Sequence, residues 1–432
     1  MVLPGDVDDP HTPSGGNVYD RRVCRGLAEL GWRVGRVGVD GAWPRPGPDG
    51  RAALDRALGG LPDGATVLLD GLVACGVPEI VVPHARRLRT AVLVHLPLAA
   101  ETGLTPVEAA ELDRLERDTL HAAALIVATS PQAARGLAER HGLDPDRVGV
   151  AAPGVDPAPL APGTDGASRL LCVASVTPRK GHDVLVRALA TLRDLPWNCV
   201  CVGPLGRDHE VIATGDLADA VRLADPPGRD DGYAARERGT IDVGDLDDRV
   251  RLTGPLGREE GYAARDRGMI DAGGLADGVR LVDPPGREGG YAARIREMIA
   301  AGGLADRVRL VGPLSGEPLE AEYAAADLLV LPSRAETYGM VVTEALARGI
   351  PVLTTTADAL PETLGRAPDG SVPGLLVPPD DPAALADALR RWLINPVLRV
   401  KIRTSARGRR GMLHGWSETS RHLAELLDRL QR

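Results

Sequence analysis

Short continuous runs of apolar residues alternate with amphipathic stretches in this chain, and after a Pro/Gly/Asp-rich break the alternation starts again. The first set of runs includes ATVLLDGLV (65–73), RTAVLVHLPLA (89–99), AALIVATS (123–130) and RVGVAAPGV (147–155), with helical stretches at 19–31 and 130–142. A strand that is apolar on both faces has to be covered on both faces, which means a parallel sheet between layers of helices. The break, DPAPLAPGTDGAS (156–168), reads as an interdomain linker. Beyond it come a strand at 168–176, a helix at 182–194 and a strand at 197–203. Two doubly wound units in tandem are therefore expected, with a ligand cleft between them at the C-terminal ends of the strands.

The length of 432 residues suits two or three domains. A net charge of −9 argues against nucleic acid as the main partner, because no basic excess is available to neutralise phosphates. No stretch reaches about 18 apolar residues, so no transmembrane helix is expected, and peripheral membrane contact stays open. The first residues lack a basic region followed by an apolar run, so no signal peptide is read. The five cysteines (Cys24, Cys75, Cys172, Cys199 and Cys201) are odd in number and form no CxxC pair. They read as buried thiols of a cytoplasmic protein, with no metal ligands among them.

A repeat interrupts the second unit. VRL recurs at 221, 250, 279 and 308, and YAAR at 233, 262 and 291, in steps of 29 residues. The full copies are 228–256, 257–285 and 286–314, with a shorter one at 206–227; each reads as a helix followed by a strand. In the last copy Tyr291, Ile295, Met298 and Ile299 make a core-facing stripe. In the two before it, Ile295 becomes Glu237 and Asp266, and Glu297 becomes Gly239 and Gly268. Each such glycine costs a helix interior about 1 kcal/mol. Residues 286–314 are thus expected in the core, and 206–285 as expansion, either a small αβ stack or weakly packed.

Three motifs carry chemistry. In PHTPSGGNVYDRRV (10–23), Gly15 and Gly16 stand before a helix and can present bare N–H groups to a phosphate; an ordinary strand-to-helix turn would look the same. In SVTPRKGHD (175–183), Arg179 and Lys180 bring two cations to a similar turn. Cations there would stabilise a departing phosphate, whereas most RK pairs are solvated turns. The chain has only two lysines, Lys180 and Lys401, which makes this one more conspicuous. In AETYGMVVTEALARGIPV (335–352), Glu336 lies in a turn and Glu344 about a helical turn further on, with Gly339 and Met340 between them. Carboxylates facing a cleft can accept hydrogen bonds from sugar hydroxyls; the alternative is local capping or pairing.

At these motifs the chain resembles glycosyltransferase family 4, retaining enzymes of the GT-B fold, over nearly its whole length outside 206–285. The matching pieces include ALIVATSPQAARGLAERHGLDPDRVGVAAPGVD (124–156), AAADLLVLPSRAETYGMVVTEALARGIPV (324–352) and GLLVPPDDPAALADALRRWL (374–393). The resemblance implies an acceptor-side domain over 1–163, a nucleotide-sugar domain over 164–415 and a final segment, 416–432, crossing back to the first. It implies that Glu336 meets the donor sugar, that Glu344 meets the ribose, and that Lys180 binds the diphosphate, with Gly15 and Gly16 approaching it. Gly339 and Met340 join the donor site. His95, otherwise as readable as a satisfied core histidine, is implied on the acceptor side near the reacting sugar.

Two departures stand out. Ala174–Ser175 replaces a frequent Gly-Arg whose arginine binds diphosphate, a role Arg179 is expected to take over. Asp358-Ala359-Leu360 replaces a Gly-Gly, placing an acid near the donor phosphates. The expected function is retaining transfer of a sugar from a nucleotide-diphosphate sugar to an unidentified glycan, lipid or small-molecule acceptor, without an essential metal. The alternative is a catalytically impaired GT-B protein that binds a nucleotide sugar or a partner. Grafted repeats acting as an interaction module are a third reading. Sugar-nucleotide epimerisation is disfavoured because it does not predict the Glu336–Glu344 pair.

Overall fold

A computed structural model describes residues 1–9, 14–205, 240–242, 252–253, 269–271, 280–281 and 288–431. The first sheet holds β1 (Val2–Pro4), β2 (Val37–Val39), β3 (Thr66–Asp70), β4 (Arg89–Val94), β5 (Leu125–Ala128) and β6 (Val148–Val150). They lie in the order β2-β1-β3-β4-β5-β6, all parallel. Its helices are α1 (Gly15–Glu29), α2 (Pro48–Gly59), α3 (Gly71–Ala74), α4 (Pro78–Ala85), α5 (Pro106–Ala122) and α6 (Pro131–His141). The central strands β4 and β5 are buried almost throughout, as their unbroken apolar runs require.

The second sheet holds β7 (Arg169–Val173), β8 (Asn198–Val202), β9 (Val308–Leu310), β10 (Leu328–Leu331), β11 (Val352–Thr355) and β12 (Gly374–Val377). Their order is β9-β8-β7-β10-β11-β12, again parallel. Around it lie α7 (His182–Ala190), α8 (Glu288–Ala301), α9 (Gly316–Ala325), α10 (Met340–Ala347), α11 (Leu360–Leu364), α12 (Pro382–Ile394) and α13 (Pro396–Arg410). In both sheets the strand order reverses once, between β1 and β3 and between β7 and β10. Such switch points are where doubly wound sheets open a crevice at their carboxyl ends.

The linker is tied to the second sheet by Asp327, which is fully buried at the head of β10. Its carboxylate accepts the N–H groups of Thr164, Gly166 and Arg169 and the Thr164 hydroxyl, at 2.6–3.1 Å. The last helix, α14 (Trp416–Gln431), packs on α1 and on the first sheet: Leu423 and Leu427 join Tyr19, Leu93 and Leu125 in one buried cluster. Gly26 leaves room for the Ser420 side chain at that crossing. No helix among the described residues is long and apolar enough to cross a membrane. All five cysteines are buried and free.

Residues 207–290 form a separate unit. The helix expected in each repeat is corrected in part: Thr240–Asp242 and Met269–Asp271 are strands, paired antiparallel. The positions matching them in the last copy are Met298–Ala300, inside α8. The difference follows the sequence, since Glu237 and Asp266 stand where Ile295 buries, and Gly239 and Gly268 weaken a helix. Short strands Leu252–Thr253 and Arg280–Leu281 also pair. The small αβ stack expected over 206–285, and its reading as an interaction module, lie outside the described residues. The last copy supplies α8 and β9 to the second sheet, with Ile295 fully buried and Arg307 donating to the carbonyls of Trp197, Arg193 and Leu195. Ile295→Ala is expected to cost about 2–5 kcal/mol, read as a lower denaturant midpoint at unchanged slope.

Candidate functional site

The loops after β7 and β10 meet at the second switch point, and a glycine sets how closely. Gly181 has a left-handed backbone (φ 71°), and a Cβ there would collide with the Pro332 carbonyl. Arg334 closes the same junction. Its N–H donates to Arg179 O at 2.8 Å, and its guanidinium donates to Pro178 O and to both oxygens of Asp183. Tyr291 Oη donates to Asp183 at 2.7 Å. Burial would raise the Asp183 carboxyl, but its bonds from Arg334 and Tyr291 hold it at about 2.

This framework seats Lys180 against Glu336. Lys180 Nζ donates to Glu336 Oε1, which also accepts the Ser333 hydroxyl at 3.1 Å. Arg179 Nη1 lies 3.8 Å from Glu336 Oε2, and the Glu336 side chain is only 7% exposed. Two cations thus face one buried carboxylate. Burial alone would raise Glu336, but Lys180 and then Arg179 outweigh it and hold its carboxyl below the usual range. At Lys180 burial wins: it lowers the ammonium despite Glu336, and Arg179 lowers it further. Arg179 Nε is buried without a partner among the described residues. Two cations thus crowd the Glu336 carboxylate, and Arg179 keeps an idle donor that an oxyanion can take up.

Asp358 belongs to this site, and its side chain points to a role that sequence reasoning missed. It takes a left-handed backbone (φ 41°), natural for the Gly-Gly it replaces, and its carboxylate accepts the Glu336 N–H at 2.9 Å. The Ala359 N–H donates to Glu336 O. The acid at this position thus clasps the Glu336 turn.

The first sheet contributes from across the cleft. Ser14 caps α1 by accepting from Asn17 N, so Gly15 and Gly16 form the helix's first turn. A Cβ on Gly15 would come within 3.6 Å of Met340 Sδ, and one on Gly16 within 3.3 Å of the His95 ring. Gly339, left-handed at φ 86°, opens α10 just before Met340. Thr337 joins the halves: its hydroxyl donates to His95 O at 2.6 Å, and its carbonyl accepts from Ser130 Oγ at 2.7 Å. His95 Nε2 faces Asp20 Oδ1 at 3.1 Å.

Direct contacts thus bring Arg179, Lys180 and Glu336 together, and near approaches join Gly15 to Met340 and Gly16 to His95. Glu344 is engaged elsewhere, accepting Tyr323 Oη at 2.7 Å, with its carboxyl raised by burial. Ser130 and Thr337 carried no signal of their own in the sequence, and Asp358 stood out only as an unexpected acid; their contacts come from loops that meet only in the fold. Glu336→Gln should destabilise the chain by about 3–5 kcal/mol near neutral pH, because two buried cations lose their counter-charge. Lys180 then lies further below its unfolded value, so the loss should shrink as pH rises through its lowered folded pKa towards that value. Denaturation midpoints across alkaline pH check the sign.

Comparison with known proteins adds to this geometry. Residues 286–395 match the family described as Glycosyl transferases group 1. The D-inositol 3-phosphate glycosyltransferase of Kineococcus radiotolerans is 29% identical over 73% of this chain and 59% of its own length. That of Thermomonospora curvata is 30% identical over 80% of this chain and 65% of its own length. The chain thus spans about three fifths of these relatives. Among solved structures, sucrose-phosphate synthase from Thermosynechococcus elongatus superposes with a TM-score of 0.66 at 19% identity, covering 99% of this chain and 98% of that one. Anabaena HepE in complex with UDP-glucose gives 0.62 at 14% identity over the same shares. These likenesses establish the architecture as GT-B. Residues 286–395 thus carry the signature of the group 1 glycosyl transferases, and the two parallel sheets are those of the GT-B fold.

Proposed function

We propose that the chain transfers a sugar from a nucleoside-diphosphate sugar to a hydroxyl acceptor, with retention of configuration and without an essential metal. The observation that carries this is the buried pairing of Lys180 and Arg179 with the single carboxylate of Glu336. It places two cationic side chains at a switch point, with the N-terminus of a glycine-led helix, a positive dipole end, on the other sheet. Both groups are chemically complementary to a diphosphate. The names of the relatives and the UDP-glucose held by HepE support a nucleotide-sugar donor.

In this reading the donor phosphates displace part of the Lys180–Glu336 contact, freeing Glu336 to accept from sugar hydroxyls. Glu344, held by Tyr323, is assigned to the ribose, and Gly15, Gly16, Gly339 and Met340 line the donor. The bond between the anomeric carbon and the phosphate oxygen breaks as negative charge builds beside Lys180 and Arg179. A fixed cation stabilises that charge more than the ground state. The acceptor hydroxyl attacks the same face, on the side of His95, and its proton passes to the leaving phosphate oxygen. Thr337 brings the Glu336 turn against the first sheet, which excludes water from the reacting centre. The alternative of an impaired binder rested partly on the acid at 358. Its bond to the Glu336 N–H favours a positioning role there.

Nucleoside diphosphate should be released from one member of a panel of UDP-, GDP- and ADP-sugars, and Lys180→Ala should abolish it. Glu336→Ala should slow turnover roughly 10²–10³-fold. The matching nucleoside diphosphate at 100 times its dissociation constant should stabilise the wild type by about 2.7 kcal/mol; stabilisation without release would identify a binder. Once an acceptor is in hand, NMR of the first-formed product should show the donor's own anomeric configuration. An inverted product would rule out retention.

A further inference from the structure

At the carboxyl end of the first sheet, three titratable side chains meet beneath the start of α1. Asp20 comes from α1, Asp70 ends β3 at the switch point, and His95 follows β4. Asp20 is fully buried and Asp70 nearly so, while the His95 side chain keeps 20% of its surface exposed. His95 Nε2 lies 3.1 Å from Asp20 Oδ1 and 3.7 Å from Asp70 Oδ2. Asp70 Oδ1 is committed to the Leu72 N–H at 2.5 Å. Asp20 Oδ2 is buried and meets no donor among the described residues.

Two buried carboxyl groups at such close range do not both ionise. A proton kept on Asp70 supplies the donor that Asp20 Oδ2 lacks. We propose that Asp20 and Asp70 share one proton, and that the resulting monoanion holds His95 as an imidazolium at the cleft, making both aspartates positioning residues for the histidine. The three groups then sum to zero charge, which a buried site tolerates. Burial, and then the charge of Asp20, push the Asp70 carboxyl up to about 8, marking it as the protonated partner. Burial would lower His95, but the charge and hydrogen bond of Asp20, followed by Asp70, raise it.

The other neighbours of the ring leave this balance alone. Tyr19 stands edge-on at 5.2 Å, and its phenol, raised by burial, is neutral at physiological pH. Gly16 touches the ring without a side chain, and Thr337 engages only the His95 carbonyl. With Nε2 committed to Asp20, the imidazolium has Nδ1–H as its remaining donor. The site thus gains an imidazolium N–H donor from the first sheet, within a triad of zero net charge, suited to an oxygen that carries or develops negative charge. This last step rests on the transferase reading; the shared proton does not.

The test is an NMR pH titration of the full chain labelled at histidine, with His95 assigned by His95→Gln. Wild-type His95 should titrate above about 6.5, the ordinary value. Asp20→Asn should lower its midpoint by about 1–3 pH units, the effect of removing an adjacent opposite charge. Asp70→Asn should leave the midpoint in place, because the amide mimics the protonated acid: its NH2 donates to Asp20 and its carbonyl still accepts from Leu72. Equal falls in both variants would mean that Asp70 is ionised, and would overturn the shared proton. An unmoved midpoint in Asp20→Asn would overturn the link to His95. Should Asp20→Asn fail to fold, the wild type decides: a midpoint at or below about 6.5 refutes the proposal. The titration needs no turnover. The predicted shifts without sugar transfer from any donor would uphold the proton-sharing pair and sink the transferase reading.

Discussion

One carboxylate held between two cations organises the second half of this molecule. Glu336 can stay ionised in a nearly dry site because Lys180 and Arg179 lie against it. Such a cluster is costly to bury and is weak evidence for stability. It makes sense as a site whose cations and idle Arg179 donor are kept ready for an anion. The surroundings serve that arrangement: Gly181 permits the close approach of the two loops, Arg334 and Asp183 lock them, and Asp358 fixes the turn that carries Glu336.

The same logic operates in the first half with opposite sign. There two buried carboxyls sit beside one imidazole, again at the point where strand order reverses. In both sheets the crevice at the switch point gathers polar groups that a packed core would reject, because strand ends diverging to opposite sides leave space no apolar side chain fills. Thr337 then ties the two crevices together through His95 and Ser130, so the geometry of each half depends on the other.

Much of this was legible before the fold was known. Uninterrupted apolar runs such as RTAVLV and DLLVLPS announced buried parallel strands, and the linker at 156–168 was visible in its prolines and glycines. Of the positions marked by the glycine pair, the RKG turn and the E-x7-E spacing, the structure brings Arg179, Lys180 and Glu336 into contact, sets Gly15 beside Met340 and Gly16 beside His95, and leaves Glu344 apart. Glu344 was legible as a site candidate but not in its partner, since Tyr323 lies 21 positions away on another helix. The repeat misled in part. Copies similar in sequence differ in structure, because the last alone offers Ile295 to the core and lacks the helix-weakening glycines at 239 and 268.

By itself the sequence determined the class of fold, the two parallel sheets and the residue types that can bind phosphate, because apolar periodicity and local motifs act over a few residues. Only the tertiary structure decided which charges share a site. Lys180 and Glu336 are separated by 156 positions, and Asp20, Asp70 and His95 come from three elements. A pKa depends on burial and on neighbours in space, and neither is written in local sequence. The paired charges of one crevice and the shared proton proposed for the other are therefore properties of the fold.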